Sequence, residues 1–256
     1  SFLLGEVWED ASNKIAYSQR RRYLLGRELH GVMNYPFRTA LLAYLRGGNA
    51  ADFQQAMETI RENYPPAAFY SALNFLGTHD TPRILTVLGA DRTPETKEER
   101  AAYRLSPTER ARGEALTRLA ALVLFAFPGA PMIYYGDEAG MEGFEDPFNR
   151  GTFPWGNQPL ELRQWFSLLG HLRRSRPSLS RGRFRWLCAS GPLLAFAREA
   201  ESERTVLVTN AGQEVRTLTL PWHWAPPQDL LTGQVYPAGD GLLTLTLPPR
   251  TGLLLS

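Results

Sequence analysis

A single cysteine, Cys188, stands in the 256 residues. That excludes an internal disulfide framework and leaves a buried, inert thiol, in keeping with a reducing compartment and a cytoplasmic location. Long hydrophobic runs are also missing. No apolar stretch approaches the ~20 residues of a membrane span, and the apolar start Phe2 to Leu4 is far too short for a signal-peptide core. An excess of one charge is missing too: 28 basic against 26 acidic side chains leave a formal net charge of +2, so nothing calls for nucleic acid or an anionic membrane. The basic clusters Arg20 to Arg22 and Arg173, Arg174, Arg176 fall in helical patterns that also carry apolar residues, and are read as solvated helix faces. There is no glycine-rich phosphate loop, no Gly-x-Ser-x-Gly elbow, no internal repeat and no low-complexity segment.

What is present suffices for one large domain or two modest ones, with 43% hydrophobic and 11% aromatic residues. Residues 1–178 alternate short apolar runs with longer helical patterns, which predicts βα units around a parallel sheet. The predicted strands are Phe2 to Val7, Gly31 to Tyr35, Ser71 to Leu76 and Pro131 to Tyr135; the predicted helices are Asn13 to Glu28, Asn49 to Asn63, Pro107 to Phe125 and Leu160 to Arg174. Pro128-Gly129 ends the third helix, and the charged stretch from Asp91 to Arg112 reads as an exposed excursion. Residues 179–256 change to short alternating strands, Leu194 to Arg198, Thr205 to Thr209, Val215 to Leu220, Leu242 to Leu247 and Thr251 to Leu255, with turn chemistry between them. This predicts a small antiparallel β domain. Ser1 opens the chain inside what reads as a strand, so the natural N-terminus is expected upstream.

In a parallel α/β architecture, functional groups gather where strands end and loops begin. Three of the four strands deliver polar groups there: Glu6 with Trp8, His79 with Asp80, and Asp137 with Glu138. Carboxylates at neighbouring strand ends are the equipment for splitting a glycosidic bond, and Trp8, Tyr35, Tyr134 and Trp155 could stack on sugar rings. The opposing readings are ordinary solvated loop carboxylates and, for His79-Asp80, a metal site that lacks further ligands at recognisable spacing. On residue types alone, Asp80 would be cast as nucleophile.

The segments around these residues carry a resemblance. Leu4-Gly5-Glu6-Val7-Trp8 followed by Glu9-Asp10-Ala11, and Asn74-Phe75-Leu76-Gly77-Thr78-His79-Asp80-Thr81, are similar to two motifs of the alpha-amylase family of glycoside hydrolases. Val32-Met33-Asn34-Tyr35-Pro36-Phe37 and Pro128 through Glu138 fit the same template in the same order, and together they resemble the neopullulanase, cyclomaltodextrinase and maltogenic amylase branch. The resemblance implies the C-terminal half of a (β/α)8 barrel, strands five to eight, over residues 1–178, followed by an antiparallel β-sandwich domain over 179–256. It implies Glu6 as general acid and base, in a partly desolvated site. It recasts Asp80 as the third carboxylate, which holds substrate hydroxyls and stabilises the transition state, with His79 bonding the same sugar. Trp8 would sit on the acceptor side, or simply pack at the barrel rim. Asp146-Pro147-Phe148-Asn149-Arg150 resembles a loop that supplies Asp146 and Arg150 to the non-reducing side of the substrate, although the two could form a plain loop ion pair.

The nucleophile motif of the family, an aspartate on the fourth strand, has no match before Glu6. The chain alone is therefore expected to be inactive, and to self-associate or to pair with the missing half of the barrel. The implied reaction is retaining hydrolysis of α-1,4-glucans (maltodextrin, cyclodextrin, pullulan), without an organic cofactor or a metal site in this chain. Glu9 and Pro82 depart from the commonest pattern, which bears on fine specificity. An α-1,6-glucosidase, a trehalose-forming isomerase and a non-catalytic sugar-binding module remain as alternatives.

Overall fold

The computed structural model describes residues 1–157 and 159–256. Strand β1 (Leu4–Gly5) is followed by a small hairpin, β2 (Ile15–Ala16) and β3 (Gln19–Arg20), and then by β4 (Gly31–Val32), β5 (Leu73–Phe75) and β6 (Ala130–Met132). β1 pairs in parallel with β4, and β5 with β6; a parallel bridge from Met33 to Leu73 joins the two pairs, so the spatial order is β1-β4-β5-β6. β1, β4 and β5 lie inside predicted apolar runs, and β6 begins one residue before its predicted run and ends three residues short of it.

The helices are α1 (Tyr35–Leu45), α2 (Ala50–Asn63), α3 (Pro66–Tyr70), α4 (Ile84–Gly89), α5 (Lys97–Ala102), α6 (Pro107–Ala126), α7 (Leu160–Ser175) and α8 (Pro177–Arg181), with a 3₁₀ turn at Phe148–Arg150. Three of the four predicted helices are found within two residues of their expected ends. The fourth, over Asn13 to Glu28, is not a helix. Tyr17 and Ser18 adopt φ of 52° and 61°, turning β2 tightly into β3, and Ile15, Tyr17 and Leu25 are exposed, so no apolar face recurs at helical spacing. Arg20 and Arg22 are exposed and Arg21 is half-buried over the Tyr17 ring; all three belong to this hairpin region, not to a helix face. The predicted strand Gly31 to Tyr35 likewise ends early, since Tyr35 opens α1. Asn34 caps that helix by accepting from the Phe37 amide at 3.1 Å, and Pro36 fits its first turn.

Two buried amides tie the parallel segments together. Asn34 Nδ2 donates to Asn74 Oδ1 at 2.9 Å, and Asn74 Nδ2 donates to the Pro128 carbonyl at 2.6 Å. Each bond is worth about 1 kcal/mol net, but either group left alone in this interior would cost more.

The sheet-rich part comprises β7 (Arg183–Ser190), β8 (Leu193–Glu199), β9 (Arg204–Asn210), β10 (Arg216–Pro221), β11 (Ala238–Gly239), β12 (Leu242–Leu247) and β13 (Thr251–Leu255). β13-β9-β8-β7 form one antiparallel sheet and β10-β12-β11 another. All five predicted strands are present, and β7 and β11 are additional. In the four-stranded sheet the pleat sorts neighbours to opposite cores. Leu194, Phe196, Leu207 and Leu254 pack toward the helices, whereas Ala195, Ala197, Val206, Val208 and Leu253 pack toward Leu218, Leu243 and Leu245 of the second sheet. β8 and β9 are therefore buried on both faces, against the simple alternation read from their letters. The alternation holds in β10 and β12, each covered on one face.

Arg173 corrects the solvated-face reading of its cluster. It is buried, and donates from Nη1 to the carbonyls of Phe125 and Phe127 and from Nη2 to that of Gly129. Arg198, on β8, donates to the carbonyls of Ala126 and Gly182. These guanidinium groups satisfy the orphan carbonyls at the end of α6, where the helix dipole favours positive charge. Burial pulls Arg173 down to about 10 and Arg198 to about 9, so both stay charged at neutrality. Cys188 is half-buried, with its thiol pushed up by burial. Among the described residues no helix is long and apolar enough to cross a membrane.

Candidate active site

The C-terminal ends of β1, β4 and β5 and the loop after β6 converge on one patch. Glu6 follows β1 directly, and Tyr35 follows β4. Tyr35 Oη donates to Glu6 Oε1 at 2.8 Å, while its ring stacks on Trp8, centroids 4.3 Å apart and planes 17° from parallel. Phe75, from β5, meets the same ring edge-on at 4.8 Å. Burial of the Tyr35 hydroxyl, then its bond to Glu6, and more weakly the charge of Asp80 all push its pKa up. The tyrosine is therefore a fixed neutral donor to the Glu6 carboxylate. Glu6 is exposed, in contrast to the partly desolvated site the resemblance implies. Among the described residues its strand pairs on one side only, with β4.

The second cluster sits after β5. His79 Nε2 lies 3.3 Å from Asp80 Oδ2. Arg150, in the loop beyond β6, bonds Asp146 Oδ1 through Nε at 2.9 Å and reaches to within 3.8 Å of Asp80 Oδ1 through Nη2. The plain loop ion pair is thus real, and its guanidinium also faces Asp80. All four groups are partly exposed, so these contacts add at most about 1 kcal/mol each to stability. Their value is orientation. A ribbon of polar and charged groups runs His79, Asp80, Arg150, Asp146.

The third predicted carboxylate behaves differently. Asp137 is buried below the patch, with Arg83 Nη1 at 3.3 Å from its Oδ1, and Glu138 does not join the surface cluster. Burial raises Asp137 to about 7 despite the neighbouring Arg83. Arg83 also packs against Tyr134 and Tyr135, 4.3 and 4.6 Å from their centroids. Tyr134 is thereby committed to the arginine and does not offer a free face to a ring. Trp155, 81% exposed, packs tilted against Phe153, centroids 4.6 Å apart, on the following loop. Gly77 lies where a Cβ would stand 2.7 Å from Asp137 Oδ2, so only glycine lets the 76–81 segment pass over that carboxylate.

Sequence reasoning missed three contributors: the hydroxyl of Tyr35 as the partner of Glu6, Arg83, and Asn149. Arg83 and Asn149 act largely on backbone carbonyls, which carry no residue signature. No group of three or more His, Cys, Asp or Glu is placed to hold a metal among the described residues. A cleft of about 700 Å³ lies elsewhere, between the end of α1 and loops of the sheet-rich part, and shares no lining residue with this patch.

Comparison with known proteins gives a consistent result. A family model described as Alpha amylase, catalytic domain, matches residues 1–163. An amylopullulanase of Thermoanaerobacter thermohydrosulfuricus is 32% identical over 280 residues, covering 99% of this chain and 18% of that protein. Neopullulanase 2 of Thermoactinomyces vulgaris is 31% identical over 264 residues, covering 100% of this chain and 40% of that protein. Among solved structures, the debranching enzyme from Nostoc punctiforme superposes with a TM-score of 0.81 at 29% identity, covering 100% of this chain and 52% of that one. The chain thus spans about a fifth to about half of the length of these three proteins.

Proposed function

The chain belongs to the alpha-amylase family, and from that premise we propose that the protein containing it is a retaining glycoside hydrolase acting on α-1,4-linked glucans such as maltodextrins, cyclodextrins or pullulan. The observation that carries the reading is Glu6 held by the Tyr35 hydroxyl at the C-terminal ends of β1 and β4, with the His79-Asp80 turn following β5, the next parallel strand. That is where chemistry gathers in such folds. In this reading the parallel segments are strands five to eight of a (β/α)8 barrel, residues 1–178, and residues 179–256 form the following β-sandwich.

Glu6 protonates the leaving glycosidic oxygen and then takes the proton of the attacking water, while Tyr35 holds its carboxylate in place. Asp80 and His79 grip the hydroxyls of the sugar at the cleavage point, where hydrogen bonds strengthen as charge develops. Trp8, 54% exposed and backed by Tyr35, offers a face on the acceptor side. Asp146 and Arg150 bind toward the non-reducing side. The nucleophile is assigned to a segment outside these residues. In support, Phe2, Leu3 and Leu4 at β1 and Ile133 just after β6 are exposed apolar groups at the two outer strands, each strand paired on one side only. A covering half-barrel would bury them.

A second reading, cleavage of α-1,6 linkages, draws support from the names amylopullulanase and debranching enzyme among the relatives. Product analysis of pullulan digests separates the two, because α-1,4 cleavage releases panose or isopanose and α-1,6 cleavage releases maltotriose. Proton NMR of the first-formed anomer tests retention. Absence of turnover on every α-glucan by the full-length protein would refute both readings.

A further inference from the structure

Asn149 lies between the two residues assigned to the substrate's non-reducing side, yet points away from solvent and is fully buried. Its Nδ2 donates to the His79 carbonyl at 2.8 Å and to the Thr81 carbonyl at 2.8 Å, with the Thr78 carbonyl at 3.4 Å. An amide has only two N–H bonds, so the two short contacts are its hydrogen bonds and the third carbonyl crowds the same side. The opposite orientation would set Oδ1 against three carbonyl oxygens, so the contacts themselves fix the amide. Oδ1 is left buried without a partner. The interior thus accepts an unsatisfied acceptor in order to keep the donor where it is.

The segment it holds cannot hold itself in the same way. Inside 78–81 the amides are satisfied locally: Thr78 N donates to Thr81 Oγ1, Asp80 N to Thr78 Oγ1, and Thr81 N to Thr78 O. The carbonyls of His79 and Thr81 face outward from that turn, toward the Phe148–Arg150 turn. The direct ion contact across the same gap, Arg150 to Asp80, is long and partly solvated. A donor bonded to two carbonyls in a dry setting is the stronger tie.

We propose that Asn149 is a positioning residue of the site: it locks the His79–Asp80 turn to the Asp146–Arg150 loop, so that the groups gripping one sugar keep register with those gripping the next. The inference rests on the glycosidase reading above. It selects Asn over its nearest isosteres. Aspartate would aim a charge at carbonyl oxygens, alanine would free the turn, and serine would keep one donor.

The test uses the full-length protein with Asn149→Ala, Asn149→Ser and Asn149→Asp, each checked for folded fraction by circular dichroism. Displacement of positioned groups costs up to ~100-fold in turnover, so kcat on maltotriose is expected to fall about 10- to 100-fold in Asn149→Ala. Asn149→Ser is expected to recover part of the loss, and Asn149→Asp to be the worst. On an aryl maltoside, Asn149→Ala combined with Asp80→Asn should cost little beyond Asp80→Asn alone, because the lock acts through Asp80. Deuterium exchange over 76–83 should rise in Asn149→Ala while exchange in α6 stays unchanged. Additive losses in the double variant, a kcat loss that only tracks the folded fraction, or unchanged exchange over 76–83 would each overturn the inference. If the parent cleaves no α-glucan, the glycosidase reading fails and takes the catalytic part of this inference with it. The exchange experiment still decides whether Asn149 locks the turn.

Discussion

Tyr35 donates to Glu6 across the ends of two adjacent parallel strands, and does so with its ring clamped between Trp8 and Phe75. The ring packing and the hydroxyl bond are therefore separable. In Tyr35→Phe the stack on Trp8 survives while the donor is lost. Losing the group that holds the carboxylate in place should cost kcat on maltotriose roughly 10-fold, while the bond to an exposed acceptor adds little to stability, so the melting temperature should change only slightly. Steady-state kinetics beside a thermal melt measure both. A melting-temperature drop of the size seen for core truncations would mean that the hydroxyl acts on the fold and not on the carboxylate.

Glu6→Gln removes the proton donor and should cost on the order of 10³-fold in turnover of natural glucans. Substrates with good leaving groups need little protonation and should be spared. Comparing maltotriose with a dinitrophenyl maltoside measures the split, and equal losses on the two would remove Glu6 from the acid's role.

Asp80→Asn should lower turnover severely without removing the covalent step. A fluorinated glycosyl donor applied to the full-length protein, followed by peptide mass spectrometry, locates the attached sugar. Label on a residue other than Asp80 is expected; label on Asp80 would make it the nucleophile.

The pH dependence of stability should carry two opposite signatures. The Asp137 carboxyl is raised from 3.8 to about 7, chiefly by burial, so the folded state binds its proton more tightly than the unfolded one. Its contribution is undiminished below pH 3.8, is lost progressively as pH rises, and is gone above about 7. Glu109 is the reverse. The Tyr103 hydroxyl, then the Asp91 and Ser106 amides, hold it down at about 2 from 4.5, so its stabilisation is present above pH 4.5 and is lost as pH falls to about 2. Urea melts of Asp137→Asn and Glu109→Gln against the parent between pH 2 and 8 should show the two differences changing in those separate windows. A Glu109→Gln difference constant with pH would show that the capping bonds of α6 do not depend on its charge.

Much of this site was legible in the sequence because its residues stand where apolar runs stop. That rule picked out Glu6, His79 and Asp80 as candidates, and the motif resemblance added Asp146 and Arg150; the structure brings Asp80, Arg150 and Asp146 together. The rule also overreached at Asp137, since it cannot tell a carboxylate on the rim from one folded under it. Helix α1 escaped notice because it is buried over most of its surface, Tyr35, Phe37, Leu41, Leu42, Tyr44 and Leu45 together, and so offers no polar stripe. Residues 13–28 were misread as a helix because their letters permit one, whereas the two positive-φ residues of the hairpin leave no composition signal stronger than Tyr17-Ser18. Arg83, Asn149 and Arg173 bond backbone carbonyls brought near only by folding, and no reading of side-chain types reveals such partners.

The four-stranded sheet belongs to two cores at once. Phe184 and Phe196 pack with Phe127 at the end of α6, while Ala195, Ala197 and Val208 close the core beneath the second sheet. Wherever a boundary between the two parts is drawn, β7, β8, β9 and β13 act as a party wall. Removing either side would leave one of its apolar faces bare and would strip the end of α6 of Arg198. The sheet-rich part is therefore not a detachable appendage. Calorimetry should register the two parts as a single cooperative transition, and a protease should find no cut between them that releases either part folded.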